Sequence, residues 1–139
     1  MALFEWHDIY SVGDADIDAQ HKRLFDIANR MHEVHVARSG RHALLSVFYE
    51  LLDYTATHFQ LEEEFMARHR FPELHQHKEQ HQKLVKLVLN YKTLLERSEP
   101  DAEQRALDFI RLWLNGHILG SDRNYGEHVT TTRMATAVA

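Results

Sequence analysis

The chain contains no cysteine. Disulfides, thiolate metal sites, cysteine-ligated iron–sulfur clusters and cysteine nucleophiles are therefore excluded. Proline and glycine are sparse, with two and five residues, which suggests few turns and long helices. No run of Lys and Arg stands out, and the formal net charge is −5. A dedicated nucleic-acid binder usually shows a basic patch, so no nucleic-acid partner is expected. No stretch of about 18 apolar residues exists to span a membrane. The acidic first segment, with Glu5, Asp8, Asp14 and Asp16, has no apolar core of a secretory leader. A cytoplasmic location is the default expectation. What the chain has in excess is histidine, twelve residues in 139.

The length fits one domain with a core of its own. Four helical stretches are expected, over about residues 18–38, 41–67, 73–97 and 100–120, and no strand. Ser39-Gly40 reads as the turn after the first. Pro72 closes the second, and Pro100 suits the opening of the fourth. Residues 129–139, rich in Thr and Ala, read as a flexible tail or the start of a linker.

Apolar residues recur in alternating steps of three and four. The seams read Ile17, His21, Leu24, Ala28, Met31, His35, then Leu44, Phe48, Leu51, Thr55, His58, Glu62, Phe65. They continue with Leu74, His77, His81, Leu84, Val88, Tyr91, Leu95, and with Ala106, Ile110, Trp113, His117. Such a stripe packs a helix along its length. Short connections make successive helices antiparallel, so the expected fold is all-α, an up-down-up-down four-helix bundle.

In that topology His21, His58, Glu62, His77, His81 and His117 fall near one end of the bundle and face inward. A buried polar group without a partner costs several kcal/mol, so six at one level require a dense network or a metal. HxxxE alone is weak evidence. His69/Glu73 straddles Pro72, and His75/Glu79 lies beside the seam; His58/Glu62 lies on it. Asp122, five residues after His117, is a further candidate carboxylate. Five imidazoles and two carboxylates are too many for one six-coordinate ion. Two ions fit better, with both carboxylates and one solvent-derived oxygen bridging. A three-and-two split of the imidazoles then leaves one open position. The donor set suits iron, zinc, copper or nickel. No Glu stands three residues before a His, which excludes the ferritin-like di-iron pattern. HExxH is absent too.

Asp122 also makes a demand on the backbone. Five residues of α-helix leave two side chains about 140° apart. For both His117 and Asp122 to face the site, the fourth helix must loosen or end around Leu119–Ser121. Gly120 helps, and a π-type turn would serve.

The pattern resembles the hemerythrins, above all the single-domain bacterial members. The residues that carry it are Trp6, Val12-Gly13 and Ile17-Asp18-Ala19-Gln20-His21-Lys22, then His58-Phe59-Gln60-Leu61-Glu62-Glu63 with Met66. Phe71-Pro72 with His77 and His81, and Trp113-Leu114, His117-Ile118 and Asp122 complete it. The resemblance spans about residues 6–126 and departs at Asp14 and after residue 128, so it implies a four-helix domain over 1–128. It implies two iron ions (Fe2+/Fe3+) with an oxo or hydroxo bridge. One would be held by His77, His81 and His117, the other by His21 and His58, with Glu62 and Asp122 bridging. It further implies reversible O2 binding without turnover, as carrier, store or delivery protein. Leu114, one turn before His117, would overhang the open position. With Trp113 and Ile118 it would form an apolar O2 pocket. Other roles compatible with the same site are an O2-sensing domain of a signalling protein, a di-iron peroxidase or an NO-handling enzyme; no extra base or acid is obvious beside the site for such turnover, although His75 or Glu63 could approach it. A zinc or nickel store fits the inward clustering poorly.

Overall fold

The computed structural model describes residues 3–138, with side chains described for 3–132. After a short 3-10 turn at Asp8–Tyr10, the chain forms α1 (Ala15–Val36), α2 (Arg41–Arg68), α3 (Leu74–Glu96) and α4 (Ala102–Gly116). A π-helical segment, His117–Asp122, leads without a break into α5 (Arg123–Val138). Each helix packs on the next, and α4 closes back on α1. The result is the antiparallel four-helix bundle that the seams require. No helix among the described residues is long and apolar enough to cross a membrane.

Local chemistry sets the ends. The Asp14 side chain caps α1 by accepting from the Ile17 amide at 3.1 Å, and Asp16 and Asp18 favour the positive end of the helix dipole. The Asp18 carboxylate also accepts from Ser11 Oγ at 2.5 Å and the Val12 amide at 2.9 Å. That ties the N-terminal segment to α1. The same segment crosses α5 at Gly126, where a Cβ would lie 2.5 Å from the Val12 carbonyl oxygen.

The turn after α1 differs from the expected one. The left-handed residue is Arg38 (φ 52°), and Gly40 (φ 103°) precedes α2 instead. The amides of Arg38 and Ser39 bond back to the carbonyls of His35 and Val34, a Schellman closure. The same closure ends α2 through Arg70 and α3 through Ser98, both at φ 53°. Three helices thus end on left-handed residues that are not glycine.

The far end differs too. The fourth helix does not fade near Gly120, because α5 resumes after the π-segment. Of residues 129–139, read from sequence as a flexible tail, 129–138 are helical and Val129 is buried, while residue 139 lies outside the described residues. The reason is visible in the stripe. It runs Ala106, Ile110, Trp113 through α4, then Ile118, Asp122, Tyr125, Val129, all buried. The π-segment inserts one residue and resets the phase, so the inward face continues.

The core is divided. A large apolar cluster fills one end, with Leu24, Phe48, Phe59, Ile110, Leu114 and Ile118 among its members. A smaller one, Val12, Ile17, Phe65, Met66, Phe71, Tyr125 and Val129, fills the other. Three segments each set a polar residue between members of the two clusters: Ile17, His21, Leu24 on α1; Phe59, Glu62, Phe65 on α2; Ile118, Asp122, Tyr125 along the π-segment and α5. A polar layer lies between two apolar ones.

Candidate metal centre

Each helix delivers its polar residues to that layer for a local reason. His21 takes one inward position of α1. His58 and Glu62 are one turn apart on α2, and His77 and His81 one turn apart on α3, so each pair shares a face. His117 opens the π-segment and Asp122 closes it. The added residue of that segment brings Asp122 Oδ1 to 3.1 Å from His117 Nε2, which a regular helix would not do.

The seven candidate residues meet in two overlapping groups. Glu62, His77, His81, His117 and Asp122 offer donor atoms all within 4.8 Å of one another, and so do His21, His58, Glu62 and Asp122. Glu62 and Asp122 belong to both groups. Glu62 Oε2 lies 2.9 Å from His21 Nε2 and 3.0 Å from His58 Nε2, while its Oε1 lies 3.1 Å from His81 Nε2. Asp122 Oδ2 lies 3.1 Å from His21 Nε2, and its Oδ1 lies 3.0 Å from His77 Nε2. Both carboxylates are fully buried, at 0% exposure.

The donor set fits a pair of cations. These contacts are close, but of those just given it is His21 Nε2–Glu62 Oε2 that is aligned as a hydrogen bond. His77 Nε2, Glu62 Oε1 and both Asp122 oxygens are buried without an aligned hydrogen-bond partner. His81 and His117 point their Nε2 atoms at each other at 3.2 Å. An ordinary buried network satisfies such atoms; here they gather within 4.8 Å of one another in each group and stay unpartnered. Two of the outer ring nitrogens support the same reading, while His21 Nδ1 is buried without a partner. His58 Nδ1 contacts Gln20 Oε1 at 2.7 Å and His81 Nδ1 contacts Glu63 Oε2 at 3.1 Å. An Nδ1–H donating outward leaves the Nε2 lone pair inward, as ligation requires.

The electrostatics are those of a charged, buried layer. Burial works against the charged form of His21, but Asp122 and Glu62 outweigh it and pull the imidazole up to about 10. The same balance lifts His77 to about 9. Burial alone would raise Glu62, yet His58, His21 and His77 hold it well below the usual carboxylate range. Asp122 is pushed up by burial and by Glu62, and held down more strongly by His117 and His21.

Residues outside the seven complete the centre. Tyr125, buried at 0%, donates its hydroxyl to Glu62 Oε2 at 3.0 Å. It stands three residues after Asp122, a spacing that carries meaning once the helix is known to continue. Phe59 stacks flat on His81 with ring centroids 3.8 Å apart, and Trp113 meets Phe59 edge-on at 6.0 Å. Leu114, Trp113 and Ile118, the expected pocket residues, are all buried in the large cluster. The other HxxxE pairs lie elsewhere. His75 and Glu79 form an exposed ion pair, and His69–Glu73 spans the turn between α2 and α3. His35 meets Glu103 at the far end of the bundle.

Fold and site define an all-helical protein built around a buried cation-binding layer. Residues 12–129 match the hemerythrin HHE cation-binding domain. The chain is 33% identical to the bacteriohemerythrin of Stenotrophomonas maltophilia (strain R551-3), over 93% of this chain and 83% of that protein. It is 36% identical to a hemerythrin-like protein of Naegleria gruberi, over 88% of this chain and 90% of that one. The solved structure of a wild-type hemerythrin superposes with a TM-score of 0.83 at 29% identity, over 92% and 98% of the two chains. The chain belongs to the hemerythrin family. That membership implies a non-haem di-iron, oxygen-binding protein.

Proposed function

We propose that this chain binds O2 reversibly at two iron ions, as an oxygen transport, storage or delivery protein. The observation that carries the reading is the sharing of Glu62 and Asp122 between a three-histidine and a two-histidine group. His77, His81 and His117 would hold one ion and His21 and His58 the other, with Glu62, Asp122 and a solvent-derived oxygen between them. The two-histidine side then has one ligand fewer, and that is where a small molecule fits.

Iron, when bound there, supplies the reversible one-electron changes that O2 uptake needs and that zinc lacks. The chain's residues do the rest. The five imidazoles and two carboxylates orient the pair. Tyr125 holds one Glu62 oxygen by its hydroxyl. Leu114, Trp113 and Ile118 exclude water from the open side.

Metal analysis together with optical spectra tests this. Two irons per chain are expected. The anaerobically reduced protein should gain a visible charge-transfer band on O2 and lose it when the gas is removed. One metal per chain, or a colourless protein after growth in ample iron, would overturn the reading.

A further inference from the structure

The outer shell of the centre is unequal in charge. On the two-histidine side, His58 Nδ1 meets the neutral amide oxygen of Gln20. On the three-histidine side, His81 Nδ1 meets a carboxylate oxygen of Glu63. Both partners stand next to a candidate ligand in sequence, Gln20 before His21 and Glu63 after Glu62. Both line a surface groove. Gln20 borders the one between α1 and α2, and Glu63 borders a cavity of about 640 Å³ between α2 and α3 with Phe59, Val85, Lys78 and Lys86. Neither lysine forms an ion pair with Glu63, whose side chain is 26% exposed and whose ion pair is with His81.

A carboxylate and an amide differ here in two ways. The carboxylate accepts only, so it dictates that His81 Nδ1 carries the proton and that Nε2 presents its lone pair inward. An amide accepts or donates according to its flip, so Gln20 dictates less. The carboxylate also draws on the Nδ1 proton and makes the imidazole a more basic, more electron-rich ligand.

Resting on the di-iron reading above, we propose that Glu63 is a positioning residue that makes the three-histidine ion the more electron-rich of the two. Through His81 it favours the oxidised state of that ion and tightens its retention. Gln20 leaves the two-histidine ion without this bias. The open position and the strongly donating outer shell thus sit on opposite ions.

The test is a set of outer-shell variants on the full chain: Glu63→Gln, Gln20→Glu and Glu63→Leu. Glu63→Gln keeps an acceptor for Nδ1–H and removes the charge. Its midpoint potential in a mediated reductive titration should rise. Gln20→Glu should lower the potential. Glu63→Leu removes acceptor and charge together, and anaerobic Fe2+ titration of the metal-free protein should show affinity reduced roughly 10–100-fold. Far-UV circular dichroism of the metal-free variants checks that the bundle is intact. Unchanged potentials, or shifts of the same sign in Glu63→Gln and Gln20→Glu, would overturn the proposal while leaving the di-iron reading standing. A wild-type protein that takes up no iron would overturn both.

Discussion

His117 and Asp122 are five residues apart, yet His117 Nε2 lies 3.1 Å from Asp122 Oδ1. The π-segment between them makes this possible, and it also places Tyr125 and Val129 back on the inward face. One inserted residue therefore serves both the centre and the small apolar cluster behind it. Asp122→Ala removes two carboxylate oxygens from both donor groups. It should lower iron per chain well below that of Asp108→Ala, a control on the exposed face of α4. Equal metal content in the two variants would overturn the proposed bridging role of Asp122.

Tyr125 gives a prediction about the metal-free protein. Its hydroxyl is buried and donates to a buried carboxylate at 3.0 Å. Tyr125→Phe keeps the ring against Phe65, Phe71 and His77 and leaves Glu62 short of a donor. A hydrogen bond to a charged group contributes about 1.5–3 kcal/mol. Urea unfolding of the metal-free variant should show a loss of that order with an unchanged slope. A loss near zero would mean that a water or a shifted imidazole replaces the hydroxyl.

The raised histidines predict a pH dependence with a definite sign. His21 is drawn up to about 10 and His77 to about 9 by Asp122 and Glu62 against the opposing effect of burial. A folded value above the unfolded one stabilises fully below about pH 6.5 and is lost as pH climbs through the folded value. The carboxylates act in the other direction. Glu62 and Asp122 are held low, so their contribution is present above about pH 4 and lost as pH falls. The metal-free bundle should be most resistant to urea between about pH 4 and 6.5 and weaken progressively as pH rises from there toward about 10, where the histidine contribution is gone. Protons on His21 and His77 also compete with metal. Metal uptake near neutrality should release protons, and affinity should rise with pH between 6 and 8. A pH-independent affinity there would refute this.

Much of this was legible in the chain, for physical reasons that differ by residue. The seams set the bundle because steps of three and four have one helical meaning, and polar residues on a seam signal a buried site. The His117–Asp122 spacing demands a local departure from α-helix, and a π-segment meets that demand. Tyr125 was not legible, since the phase slip that delivers it also makes residues after Gly120 look like a fading helix. Arg38, Arg70 and Ser98 gave no sign of their left-handed conformations, because the Schellman closure usually announces itself by glycine. Gln20 and Glu63 sit beside candidate ligand positions in sequence, but only the packing of α1 on α2 and α2 on α3 shows which imidazole each one meets.

Leu114 carries the prediction on the lifetime of the O2-loaded protein. It is buried at 1% exposure, one turn before His117, in a cluster with Phe59, Trp113 and Ile118. The centre's carboxylates and imidazoles are themselves polar, so water has favourable partners wherever the apolar wall opens. In the proposed di-iron site, water admitted to the open side would supply the protons with which the oxygen leaves in two-electron-reduced form, as hydrogen peroxide, and both irons would be left oxidised. A dry site also strengthens whatever hydrogen bond holds the ligand. Leu114→Ala opens a cavity and should cost about 2–5 kcal/mol of stability. Leu114→Asn changes shape little and adds polarity. Both should take up O2 and autoxidise faster than wild type, with Asn worse than its small volume change alone implies. Leu107→Ala is the control for lost packing, since Leu107 is also buried in the large cluster and lies about 10 Å further along the helix axis at 1.5 Å per residue. It should destabilise the bundle comparably and leave the autoxidation rate near wild type. If Leu114→Asn keeps iron and fold and autoxidises at the wild-type rate, Leu114 is core packing and the barrier to water lies elsewhere.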